Sequence, residues 1–122
     1  MRVILKGKNT DLTPALRAYI EQKIIKPAKQ LLAFADASDP LLEIEIARTT
    51  RHHKKGRVWW AEANLKLGKR LIRAEHIGED PHEVIDLVEE ELKREIKAFK
   101  GKSKTKEIRG ARKLKRMIRR GS

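Results

Sequence analysis

The stretch VWWAEANLKLGKRLIRAEHI, residues 58–77, decides the fold. Apolar and polar residues alternate on both sides of Gly68 and Lys69, and a period of two marks a strand with one buried face. Trp59, Ala61, Ala63, Leu65 and Leu67 share a face, continued beyond the turn by Ile72, Ala74 and His76. Trp60, Glu62, Asn64, Arg73 and Glu75 fall on the opposite, wetter face. A short glycine-bearing connection joins such runs as a hairpin. The spacing therefore predicts two antiparallel strands whose single apolar face needs a second layer to cover it.

Working outward, LLEIEIA (41–47) alternates in the same way, with Leu42, Ile44 and Ile46 inward and Glu43 and Glu45 outward. The run RTTRHHKKGR (48–57) then becomes a hairpin end, with Gly56 supplying the turn and Arg51, Lys54, Lys55 and Arg57 fanned into solvent. RVILK (2–6) reads as a further strand, ended by Gly7 and Asn9. Two helices complete the pattern. In the first, Thr13 is the cap and Pro14 the first helical residue, and Leu16, Tyr19, Ile20, Ile24, Ala28, Leu31 and Leu32 form the apolar stripe. Pro27 interrupts that stripe and predicts a kink or a hydrogen-bonding defect. In the second, Asp80, Pro81 and Glu83 have the spacing of a capping box, Ile85, Val88, Leu92, Ile96 and Phe99 form the stripe, and Gly101 is expected to stop it.

The order is β-α-β-β-β-α, an α/β (α+β) two-layer sandwich with a four-stranded sheet and both helices on one face. The first two strands should be parallel and the later three an antiparallel meander. With 122 residues one domain is expected, spanning residues 1–100. The 30 Lys and Arg against 17 Asp and Glu leave a net +13, of which residues 1–100 carry +4 and residues 101–122 carry +9. The tail holds too few apolar residues to bury a core and is expected to be disordered when free. A body of modest charge with a strongly basic tail points to a polyanionic partner. No apolar run is long enough for a membrane span, no signal peptide is legible, and there is no cysteine, so a cytoplasmic location is expected.

Catalytic chemistry finds little footing. His52 and His53 are adjacent in an extended segment and point apart, while His76 and His82 belong to other elements, so the three or four convergent ligands of a zinc site are missing. Glu43 and Glu45 share a sheet face on which bases such as Arg73 can neutralise them. There is no glycine-rich phosphate loop and no G-x-S-x-G elbow. No enzyme activity, metal or cofactor is expected. The bases are better organised: Lys23, Lys26 and Lys29 lie within about 120° of arc on the first helix, and Lys93, Lys97 and Lys100 within about 60° on the second, with Arg94 beside them. If the helices lie side by side, these stripes form one ridge suited to phosphates. Trp60, facing out, either packs across its neighbouring strands or stacks on an unpaired base.

The segments VILKGKNTDLTPALRAYIEQKIIKPAK (3–29) and LIRAEHIGEDPHEVIDLVEEELKREIKAFK (71–100) resemble the ribosome hibernation-promoting factor family, also called ribosome-associated translation inhibitors. Thr13, Ala15, Leu16 and Arg17 at one helix start, and Gly78, Glu79, Asp80, Ile85 and Asp86 at the other, carry the resemblance. It implies a domain similar to double-stranded RNA-binding domains, which binds rRNA of the small ribosomal subunit in the decoding channel and blocks messenger and transfer RNA without chemistry. It also implies that Lys23, Lys26, Lys29 and Arg94 occupy basic positions of the family pattern. Pro27, His82 and Glu91 depart from that pattern, which has a leucine-like residue, a tyrosine and a lysine there. The resemblance is to the short form of the family, so pairing of ribosomes through the C-terminal domain of long forms is not expected. The rival readings are a general double-stranded RNA-binding module or RNA chaperone, and a small nuclease using His52 or His53 with a carboxylate.

Overall fold

In the computed structural model, residues 1–33, 39–49, 56 and 58–120 are described, with side chains through Gly101. The elements are β1 (Arg2–Lys8), α1 (Pro14–Ile20), a π-helical turn (Glu21–Ile25), α2 (Lys26–Leu32), β2 (Leu41–Arg48), β3 (Trp59–Leu67), β4 (Arg70–Gly78) and α3 (Pro81–Arg120). The sheet order is β1-β2-β3-β4, with β1 and β2 parallel and the other two pairs antiparallel. This is the β-α-β-β-β-α sandwich that the alternation predicts.

The apolar face is sealed. Leu42, Ile44, Ile46, Ala61, Ala63, Leu65, Leu67, Ile72 and Ala74 are all buried beneath Leu16, Ile20, Ile24, Ala28 and Leu32 of the first helical arm and Val84, Ile85, Val88, Leu92 and Ile96 of α3. Each fully buried Leu, Ile or Val contributes roughly 1.5–3 kcal/mol. Register sets Ala63 between Ile44 and Ala74, and these small side chains keep the middle of the sheet low beneath the helices. Gly68, at φ 61°, makes the β3–β4 turn in the left-handed region where glycine is unstrained.

The first arm contains one irregularity, and the apolar spacing explains it. Leu16, Ile20, Ile24, Ala28 and Leu32 recur every four residues, so on a regular α-helix the stripe would drift by about 40° per step and about 160° in all. A wider π-turn over Glu21–Ile25, where the Lys26 N–H reaches Glu21 O, inserts the equivalent of one residue and takes back about 100°. Pro27 follows directly, in the first turn of α2, where its missing N–H is cheapest. The predicted defect is thus real and takes the form of a π-turn.

Caps fix the arm ends. Thr13 Oγ1 accepts from Leu16 N at 3.1 Å with Pro14 next in line, as expected. At α3, Asp80 Oδ1 accepts from His82 N at 3.1 Å, while the Glu83 carboxylate accepts from Glu79 N at 3.3 Å, one residue earlier than the expected capping box. Gly78 lets this start sit close to β4, because a Cβ there would lie 2.8 Å from Val84 Cγ1.

One expectation is corrected: α3 does not stop at Gly101 but runs for 40 residues to Arg120, about 60 Å at 1.5 Å per residue. A glycine stop requires the left-handed conformation. Gly101 is not among the positive-φ residues, and helical glycine costs only about 1 kcal/mol relative to alanine. The backbone over 102–120, with ten Lys and Arg among its residues, continues α3 as helix.

Candidate nucleic-acid interface

α3 packs on β3 and β4 and meets the π-turn and α2 along its other side, so the two arms do lie side by side. Between them runs a shallow groove floored by Ile24, Ala28, Leu92 and Ile96, with Lys23 on the first arm's side and Glu89 and Lys93 on the α3 side. Lys26 and Lys29 are exposed on the first arm, Arg94 and Lys97 are exposed on α3, and Lys100 is half-buried. The structure therefore brings Lys23 and Lys93 to a common groove and leaves the remaining bases on the same two helices.

Of these seven cations, among the described residues, only Lys23 forms an ion pair, with Asp86 at 3.6 Å and both side chains more than 40% exposed. Such an exposed pair is worth about 1 kcal/mol or less, so Lys23 can exchange it for a phosphate at small cost. The other six keep their charge available to an external anion.

Asp86 is a junction between the arms that sequence reasoning missed. Besides meeting Lys23, it accepts from the Tyr19 hydroxyl at 2.5 Å, across from α1 to α3. That hydrogen bond, then burial, then the Asp86 charge push the Tyr19 phenol up to about 12. The Tyr19 ring also meets His82 edge-on at 4.6 Å between centroids. The signal was present as an acid beside the apolar seam, one residue after Ile85, and a tyrosine within the facing stripe; only the packing shows that they meet.

Two of the three departures from the family pattern have partners, and the third sits at a helix start. Pro27 follows the π-turn, His82 supplies an aromatic edge to Tyr19, and Glu91 meets His76 Nε2 from α3. His76 is thus half-buried at the sheet's inner margin.

Arg51, Lys54, Lys55 and Arg57, with His52 and His53, lie outside the described residues. At the base of that hairpin, Thr49 N donates to Val58 O at 2.7 Å and the Arg48 guanidinium stands 5.6 Å over the Trp59 ring. Gly56 has φ 91°, the left-handed conformation the turn needs.

The open face of the sheet is salt-bridged, but with a different pairing from the one expected. Arg73 reaches Glu62 and Glu75, each at 2.9 Å, and Lys66 is the base that meets Glu43, at 3.6 Å. Trp60 packs across the strands, its Nε1 donating to Glu75 Oε1 at 2.8 Å. Among the described residues no group of three or more His, Cys, Asp or Glu converges to hold a metal, and no helix is long and apolar enough to cross a membrane.

Comparison with known proteins gives a consistent family. The family described as "Sigma 54 modulation protein / S30EA ribosomal protein" matches residues 3–104. A ribosome hibernation promotion factor of Picosynechococcus sp. is 30% identical over 104 residues, covering 84% of this chain and 51% of its own length. One from Lactococcus lactis subsp. cremoris is 32% identical over 96 residues, covering 79% of this chain and 48% of its own. The chain spans about half the length of these curated relatives. The Thermus thermophilus Protein Y N-terminal domain superposes with a TM-score of 0.62 at 25% identity, covering 81% of this chain and 99% of that one. A ribosomal subunit interface protein from Coxiella burnetii, at 23% identity and a TM-score of 0.62 over 83% of this chain and 99% of that one, shares the fold.

Proposed function

Because the chain belongs to the Sigma 54 modulation protein / S30EA ribosomal protein family, we propose that it binds the small ribosomal subunit through rRNA and holds translation inactive. The observation that carries this reading is the set of six cations without ion pairs among the described residues, borne on two helical arms that share a groove. Lys26, Lys29, Lys93, Arg94, Lys97 and Lys100 contact phosphates, and Lys23 joins them by releasing Asp86. The arms dock in the decoding channel, where they exclude messenger and transfer RNA by occupancy and attraction alone. The curated relatives are named ribosome hibernation promotion factors, which favours this partner over other polyanions. Residues 1–100 form the binding domain and the basic segment beyond adds affinity. The protein acts in the cytoplasm, where ribosomes are.

Co-sedimentation with purified small subunits tests the proposal. Binding is expected at moderate salt, with affinity falling by roughly 0.7–0.9 log units per neutralised phosphate per decade of salt. Replacing Lys93, Arg94, Lys97 and Lys100 by Gln should weaken binding roughly tenfold or more and flatten that slope, with no change in melting temperature. Unchanged affinity removes the ridge from the interface.

The helical continuation of α3 to Arg120, within a segment of net +9, favours a second reading, a general duplex-RNA module. Transfer RNA competition separates the two. A channel-occupying inhibitor is displaced from the subunit by transfer RNA, whereas a general binder stays attached elsewhere.

A further inference from the structure

The open face of the sheet carries a recognition element separate from the helical ridge. Register places Lys8, Ala47, Trp60 and Ile77 in one row across the four strands, and Lys6, Glu45, Glu62 and Glu75 in the next. Trp60 is half-buried, and its hydrogen bond to Glu75 fixes the indole across β3 and β4. Ala47, its neighbour on β2, is too small to fill the space beside the ring. A cleft of about 310 Å³ opens there, lined by Lys8, Asn9, Glu45, Ala47, Arg48, Thr49 and Trp60, with the Arg48 guanidinium turned to the Trp59 ring. Its corner is pinned by Asn9, which sits at φ 58° and whose side-chain amide donates to Arg48 O at 3.2 Å.

Glu43, Glu62 and Glu75 all have a cationic partner. Among the described residues, Glu45 and Lys8 have none. The cleft thus presents a fixed aromatic ring, a free carboxylate and a free ammonium at three sides of a space near the lower end of ligand-pocket sizes, roughly 300–1,000 Å³.

We propose that this cleft binds one unpaired RNA nucleotide, with the base stacked on Trp60, an exocyclic amino group donating to Glu45, and the phosphate against Lys8. Stacking on an aromatic ring serves every base, and the carboxylate adds discrimination. It accepts from the amino group of cytosine or adenine and repels the carbonyl oxygen that uracil presents at the same position as the cytosine amine. The proposal rests on the reading of the chain as an RNA binder, but not on the helical ridge.

The test is fluorescence anisotropy of dye-labelled single-stranded octamers of cytidylate and uridylate, titrated with the full chain at fixed moderate salt. Cytidylate is expected to bind several-fold more tightly than uridylate. Trp60→Leu should weaken the cytidylate complex roughly tenfold. Glu45→Gln should bring the two oligomers to within about twofold of each other, and Lys8→Gln should lower the salt slope by about one phosphate contact. Circular dichroism melting checks that the variants fold, and the half-buried Glu45 carries the test if Trp60→Leu does not.

Equal binding of the two oligomers by the unaltered chain overturns the proposal, as does wild-type behaviour of both Trp60→Leu and Glu45→Gln. If Glu45→Gln weakens a lysine-rich peptide and leaves both octamers unchanged, the cleft belongs to a protein partner and the proposal is likewise overturned. Failure of the unaltered chain to co-sediment with small subunits, with cytidylate preference intact and lost in Glu45→Gln, removes the ridge reading and leaves the cleft standing.

Discussion

The two helical arms beside the groove meet interruptions in opposite ways. The first, from Pro14 to Leu32, yields to its geometry: apolar residues spaced by four cannot stay on one face of a regular helix, and a π-turn just before Pro27 restores them. The second, α3, ignores its interruption and passes straight through Gly101. The first break is required by buried side chains on both sides of it, at Ile20 and Ala28, whereas among the described residues nothing outside its own helix stands within 4 Å of where a Cβ on Gly101 would lie. A helix breaker acts when packing has a use for the break. Where packing is silent, the continuing run of helix formers prevails.

The largest expected effects come from testing whether the arms are equally well packed. Ile24→Ala, within the π-turn, and Ile85→Ala, on α3, remove side chains that are 2% and 0% exposed, and each should cost about 2–5 kcal/mol in urea denaturation. A much smaller loss at Ile24 would mean that the irregular arm is loosely packed.

Next come the two helix-associated glycines. Gly78→Ala sets a methyl 2.8 Å from Val84 Cγ1 and should destabilise the fold by about 1–3 kcal/mol. Gly101→Ala meets open space and should leave the global midpoint unchanged while raising the helical signal in far-ultraviolet circular dichroism. Equal effects at both positions would break the contrast.

Pro27→Ala should stabilise by about 1 kcal/mol, well below the full cost of an interior proline, because the π-turn already absorbs most of the defect. Retention of the π-turn, seen in amide exchange around Lys26, would place its cause in the apolar spacing. Its disappearance would place the cause in the proline.

The smallest effect is a pH dependence at the junction between the arms. Tyr19 holds its proton to about pH 12 when folded, through its hydrogen bond to Asp86, then burial and the carboxylate charge, against 10.0 for an ordinary tyrosine. Between those values the unfolded chain binds fewer protons than the folded one, so stability is complete below about pH 10 and falls as pH rises toward 12. Tyr19→Phe should lose about 1 kcal/mol at neutral pH and show a shallower decline through that window, measured by melting temperature against pH.

Much of the fold was legible because the strands declare themselves locally. Alternation in 41–47 and 58–77 gave the faces, and Thr13, Asp80 and Gly68 marked caps and turns through chemistry that operates within a few residues. The placement of Lys23, Lys26, Lys29, Lys93, Arg94, Lys97 and Lys100 on two helical arms was legible as well, although the π-turn over Glu21–Ile25 shifts Lys23 from the arc a regular helix would give it. The Tyr19–Asp86–Lys23 junction was not, because its members lie 67 residues apart in the case of Tyr19 and Asp86. Nor could sequence assign Arg73 to Glu62 and Glu75 and leave Glu43 to Lys66, since that choice follows from strand register.

The sequence by itself determined the order of elements, the buried face of each strand, the unequal distribution of charge and the family pattern, all of which depend on residue type and short-range periodicity. Tertiary structure alone decided that the arms share a groove, that Tyr19 meets Asp86 and, among the described residues, that Glu45 and Lys8 stand without an ion pair around Trp60. These outcomes depend on distances between side chains remote in the chain, and those distances exist only once the helices have settled on the sheet.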